Sequence, residues 1–119
     1  MRFMLMHYST EDMEAGVPPT PEQMAAIGEY MEESVKSGVL LAGEGVRPSS
    51  FGARVEITDD GTPNVTDGPF AEAKELIAGF AILDCKSRDE AIEHAKRWAA
   101  VSGSTRVDVR QVAEYSDFE

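Results

Sequence analysis

Apolar side chains fill most positions between Arg2 and Tyr8, the pattern of a strand covered on both faces. Ser9 to Pro19 is polar and acidic and closes on two prolines, which predicts a loop. Thr20-Pro21-Glu22-Gln23 then opens a helix: Thr20 caps it, Pro21 suits the first helical position, and Gln23 can complete a capping box. Met24, Ile27, Met31 and Val35 recur at helical spacing as the expected buried stripe. Glu29, Glu32, Glu33 and Lys36 fall opposite, and Gly38 supplies the stop.

Val39 to Val46 predicts a second strand, interrupted by Gly43-Glu44-Gly45, and Arg47 to Gly52 a bend. Ala53 to Thr58 alternates, Asp60-Gly61 turns, and Pro63 to Thr66 returns, so a hairpin is expected, closed by Asp67-Gly68-Pro69-Phe70. Ala71 to Leu76 is polar and charged. Ile77 to Leu83 is apolar on both faces. Ser87 and Glu90 make a second capping box, before a helix burying Ala91, Ile92, Ala95, Trp98 and Ala99 that stops near Gly103. Thr105 to Ala113 predicts the last strand. Residues 1–114 thus read as one domain, and the acidic tail 115–119 as frayed.

The order β-α-β, hairpin, β-α-β predicts an α+β fold: a ferredoxin-like split βαβ sheet with an inserted β-hairpin and both helices on one face. Met4 and Met6 point away from Phe3 and Leu5, toward a face that no remaining element can cover. A homodimer formed through that face is the simplest solution.

Composition narrows the partners. In 119 residues, 22 acidic against 11 basic side chains give a net charge of −11. That charge repels phosphate backbones and anionic lipid, so neither nucleic acid nor membrane is expected as a partner. The apolar run Phe3 to Met6 is too short for a signal peptide or a membrane span. One cysteine, Cys85, excludes an internal disulfide and fits a reducing cytoplasm.

The stretches MRFMLMHY, VLLAGEGVRP and above all TDGPFAEAKELIAGFAILD resemble the YCII-related proteins, in the branch known for its Asp-Gly-Pro-Phe (DGPF) motif. The resemblance runs from the first strand to about Glu114 and implies a ferredoxin-like dimer of the dimeric α/β-barrel type. It implies no general activity for the branch, whose members are often encoded beside extracytoplasmic-function sigma factors. The wider family includes lyase-type enzymes acting on chlorinated aromatic acids through a His–Asp pair. Their histidine lies early in the first helix, where this chain has Met24 and no histidine at all.

Candidate chemistry is correspondingly sparse. His7, at the exit of the first strand, can serve as a general base if Asp67 or Glu44 orients it; otherwise it is a half-buried strand-end histidine. Asp67-Gly68-Pro69-Phe70 is explained by turn chemistry, with Phe70 as its anchor, while Asp67 remains a candidate acid–base partner. Glu44 and Arg47 can bind a small polar ligand or form a surface ion pair. Glu90 and His94 stand at i, i+4, a chelating spacing, but the cap claims Glu90 and no second pair accompanies them, so no metal or cofactor is expected. Cys85 reads as packing rather than nucleophile. The leading expectation is a small-molecule-binding homodimer with His7 and Asp67 as catalytic candidates and Glu44, Arg47 and Phe70 as ligand contacts. Alternatives are a lyase or isomerase built on His7, and an acidic partner of a sigma factor or other regulator docking through Glu29, Glu32 and Glu33.

Overall fold

The computed structural model describes residues 1–70 and 72–119; Ala71, which opens the predicted polar stretch, lies outside them. Its strands are β1 (Arg2–Tyr8), β2 (Leu40–Gly45), β3 (Ala53–Ile57), β4 (Pro63–Asp67), β5 (Ile77–Asp84) and β6 (Val107–Gln111). The helices are α1 (Glu11–Glu14), α2 (Pro21–Lys36) and α3 (Arg88–Ser102). Four strands form an antiparallel sheet in the order β2-β5-β1-β6, and β3 pairs with β4 alone. This is the ferredoxin-like arrangement with its inserted hairpin. No helix among the described residues is long and apolar enough to cross a membrane.

Strand alternation decides where the core lies. Phe3, Leu5, Leu83 and Cys85 point to the helices and are buried with Ala91 and Ala95 of α3. Met4 and Met6 pair with Ile82 and Phe80 on the opposite face, away from the helices α2 and α3. Tyr8 shares that face; its hydroxyl donates to Asp108 at 2.8 Å, and the Arg106 guanidinium lies 3.7 Å from its ring centre.

Local chemistry sets the helix ends. Thr20 Oγ1 accepts the Gln23 N–H at 3.1 Å, as expected of a cap, but the Gln23 side chain does not reach back. It donates instead to the Ser102 carbonyl of α3 at 2.9 Å, satisfying one of that helix's free C-terminal acceptors. Ser87 Oγ accepts the Glu90 N–H at 3.2 Å, and Glu90 Oε2 accepts the Lys86 N–H at 3.2 Å. Gly38 and Gly103 end the two long helices with φ of +77° and +79°.

Four expectations need correction. The predicted loop contains α1, because Thr10 caps it by accepting the Met13 N–H and three acids fill a turn whose N-terminal dipole favours them. Met24 and Val35 are exposed. The face α2 turns inward carries Gln23, Ile27, Tyr30, Met31 and Ser34: it keeps Ile27 and Met31 of the expected stripe but is rotated by roughly 60° from it, which turns Met24 and Val35 out. The tail residues Tyr115–Phe118 form a 3₁₀ turn. The preceding Glu114 is held by Arg2 through two bonds of 2.7 and 3.0 Å. Phe70, expected as a core anchor, is only half-buried, with the Arg54 guanidinium 4.2 Å from its ring centre.

The β3–β4 hairpin is exposed along its whole length, with Val55, Ile57 and Val65 bare. The Asp60 carboxylate accepts the Thr62 N–H and the Thr58 hydroxyl, which holds its pKa down to about 2 and closes the turn. The hairpin stretches the molecule: the radius of gyration is 16.3 Å, against about 13.5 Å for a compact chain of this length.

Candidate functional site

His7 ends the helix-facing row of β1, directly opposite Gly79 of β5. Ser104 Oγ lies 3.0 Å from His7 Nδ1 and donates its only proton to the Tyr8 carbonyl at 3.2 Å. The serine therefore accepts from His7, which places the ring proton on Nδ1 and leaves Nε2 with its lone pair. Nε2 reaches over Gly79: a Cβ there would sit 2.5 Å from it and 2.8 Å from the Glu44 carbonyl oxygen. Only glycine fits between strand and imidazole. Trp98 packs edge-on against the ring with centroids 5.4 Å apart. Burial pushes the His7 pKa below the ordinary histidine value, favouring the neutral ring.

Under α2 and α3 this imidazole meets a cavity of about 390 Å³ whose walls include Leu5, Ile27, Tyr30, Met31 and Trp98. That volume lies within the range of about 300–1,000 Å³ usual for small-molecule pockets. One basic nitrogen on a mostly apolar wall is suited to a flat apolar molecule carrying a hydroxyl or another acidic proton.

The other predicted site residues do not converge on His7. Glu44 borders the cavity, yet its register partner is Phe80, so its side chain shares the Phe80 face, opposite the imidazole. Arg47 makes no ion pair with Glu44 among the described residues; its guanidinium stacks 3.5 Å from the Phe51 ring centre. Asp67 is exposed at the end of β4 and is absent from the cavity wall.

The turn after Asp67 has its own structural account. Gly68 N–H donates to the Gly52 carbonyl at 3.0 Å, and Phe70 N–H to Ser49 Oγ at 2.9 Å. Ser49 is itself tied to Glu14 of α1 through its hydroxyl and, at 2.7 Å, its N–H. A Cβ on Gly68 would lie 1.7 Å from the Ser49 carbonyl oxygen, so the motif's glycine is demanded by backbone contact.

Sequence reasoning missed Ser104, Gly79, Tyr30 and Trp98 as parts of the site. The one available signal was Gly79, a glycine inside an otherwise apolar strand, which marks a close approach. The predicted acidic docking face is also partly neutralised: Glu32 binds Lys36 at 3.0 Å and Glu33 meets Arg97 at 3.5 Å.

A second cluster lies at the far end of α3. Cys85, Glu90 and His94 each offer a donor atom within 4.8 Å of the others, beside a cavity of about 570 Å³. The expectation of no metal rested on the cap claiming Glu90 and on the lack of a second pair at metal-ligand spacing; the residue after β5, Cys85, adds a third donor beside Glu90 and His94. Burial, with the charges of Glu90 and Asp84, pushes the Cys85 thiol up. Burial and the Arg97 charge push His94 down.

The sheet order and the helix-covered cavity define an α+β protein of ferredoxin-like build. Residues 1–115 match the YCII-related domain, and the chain belongs to that family. It is 45% identical over 56 residues to the uncharacterized protein R00369 of Rhizobium meliloti (strain 1021); the match covers 46% of this chain and 45% of that protein. Its fold is similar to that of 5-chloro-2-hydroxyhydroquinone dehydrochlorinase (TftG) from Burkholderia phenoliruptrix AC1100, solved with 2,5-dihydroxybenzoquinone. That likeness has a TM-score of 0.55 at 12% identity and covers 98% of both chains.

Proposed function

We propose that this chain is a small-molecule-binding protein of the DGPF branch, acting as a cytoplasmic homodimer. Its ligand is a small hydroxylated aromatic or quinoid compound, bound in the cavity under α2 and α3, with His7 Nε2 accepting a proton from it. The observation that carries this reading is the half-buried imidazole, its Nδ1 bonded to Ser104, on a mostly apolar wall. The homodimer is supported by the uncovered Met4–Met6 face and by the bare hairpin, since a lone two-stranded hairpin is marginal in water. The His7–carboxylate version of a lyase or isomerase is not favoured, because neither Asp67 nor the Glu44 side chain shares the imidazole's space. Proton transfer by His7 alone remains part of the proposal.

Trp98 is the only tryptophan of the chain and borders the cavity, so its fluorescence reports occupancy. Titration with 2,5-dihydroxybenzoquinone and simple hydroxyquinols should give saturable quenching in the wild type. In His7→Ala the affinity should fall at least tenfold. Linear, non-saturating quenching by every compound, or equal affinity in His7→Ala, contradicts the proposal.

A further inference from the structure

We infer that Cys85, Glu90 and His94 form a binding site for a borderline divalent transition metal, zinc being the expected occupant. The three donors come from two elements brought together by the fold: Cys85 follows the last residue of β5, while Glu90 and His94 lie one turn apart on α3. Ser87 caps α3 between them and fixes the start of the helix against the strand end. The donor atoms lie within 4.8 Å of one another. Bonds of about 2.0–2.3 Å to a tetrahedral ion place donors about 3.5 Å apart, so side-chain rotation through roughly an ångström closes the set.

Packing and capping account for Cys85 and for one oxygen of Glu90, but not for His94. Its Nδ1 is buried with no hydrogen-bond partner, the only such side-chain nitrogen or oxygen among the described residues. A buried polar atom left bare is costly, and a metal ion, or a water carried on one, would satisfy it. Glu90 Oε2 is committed to the Lys86 N–H, which orients the carboxylate and leaves the other oxygen free to ligate. The nearby Arg97 is drawn to Glu33. A set of one sulfur, one nitrogen and one oxygen selects zinc or its neighbours over magnesium or calcium, which prefer all-oxygen shells. Three protein ligands leave a fourth position facing the cavity, open to water or a small anion.

Full-length protein, reduced and stripped with chelator, is titrated with Co²⁺ and then with Zn²⁺. One equivalent of Co²⁺ should bind and give a thiolate-to-cobalt charge-transfer band, which Zn²⁺ then bleaches. Cys85→Ser should lose the band, and His94→Gln and Glu90→Gln should each weaken zinc binding at least tenfold. Glu90→Gln keeps an oxygen for the Lys86 N–H, so its fold, checked by circular dichroism, is retained even if a change at buried Cys85 unfolds the chain. Zinc should raise the melting temperature of the wild type and not of Glu90→Gln. Absence of the thiolate band, or zinc affinity unchanged in His94→Gln and Glu90→Gln, overturns the inference and assigns any bound ion to the acidic surface.

Discussion

Replacing Gly79 by alanine tests whether the sheet is built around the His7 ring. The new methyl carbon would stand 2.5 Å from His7 Nε2 and 2.8 Å from the Glu44 carbonyl oxygen, one a side-chain atom and the other backbone. Ordinary contact needs about 3.5 Å, so the imidazole must retreat by roughly 1 Å. That retreat breaks the 3.0 Å bond to Ser104, at a net loss of about 1 kcal/mol. Crowding of the β2 backbone adds about 1–3 kcal/mol, for a total of about 2–4 kcal/mol. An unfolding entropy of about 2.1 cal/mol/K per residue converts this into a fall in melting temperature of roughly 8–16 °C. Gly43→Ala is the control. It lies on the same face, where the nearest atom to a Cβ is the Phe80 carbonyl oxygen at 3.3 Å, and it should cost under about 1 kcal/mol. Urea denaturation of both variants decides the matter. If Gly79→Ala is as stable as Gly43→Ala, the imidazole is not where this account puts it.

Gly68→Ala forces a Cβ against the Ser49 carbonyl oxygen and should destabilise by about 2–4 kcal/mol, whereas exposed Asp67→Asn should stay within about 0.5 kcal/mol of wild type; equal stabilities measured in urea would refute the structural account of the turn. Stability should also fall with acid: the His7 pKa is lowered on folding, so the unfolded chain takes up the proton first. The stability due to the neutral ring is then complete above about pH 6.5 and is lost as pH falls from there toward the lower folded value. His94 shifts in the same direction, so His7→Gln should reduce this slope without abolishing it, and an unchanged slope would count against burial of His7. Met6→Glu places a carboxylate on the uncovered sheet face and should yield monomer by light scattering, while the wild type runs as a dimer; a wild-type monomer at micromolar concentration refutes the dimer.

The main elements were legible because their signals are local: Thr20-Pro21 and Ser87 mark helix starts, and runs apolar on both faces mark β1 and β5. The ferredoxin-like order then followed from connectivity. What escaped depends on the third dimension. Register alone tells that Glu44 shares the face of Phe80 rather than that of His7. The apolar pattern of α2 is broad enough that Met24 and Ile27 both looked internal, and only packing against α3 chose between them. Ser104 lies 97 residues from His7 and carries no motif. The grouping of Cys85 with Glu90 and His94 required knowing that the end of β5 and the first turns of α3 meet. The DGPF signature, conversely, was legible as a turn, and its glycine contact with Ser49 supplies the reason.

The most direct test of the ligand-site claim is the protonation and ligation state of His7, read by ¹⁵N–¹H multiple-bond NMR at neutral pH with and without 2,5-dihydroxybenzoquinone. The free protein should show a neutral ring with its proton on Nδ1, and the Nε2 resonance should move toward the protonated value as the compound saturates. A ring protonated on Nε2 in the free protein, or an Nε2 signal unmoved by the ligand, would contradict that claim.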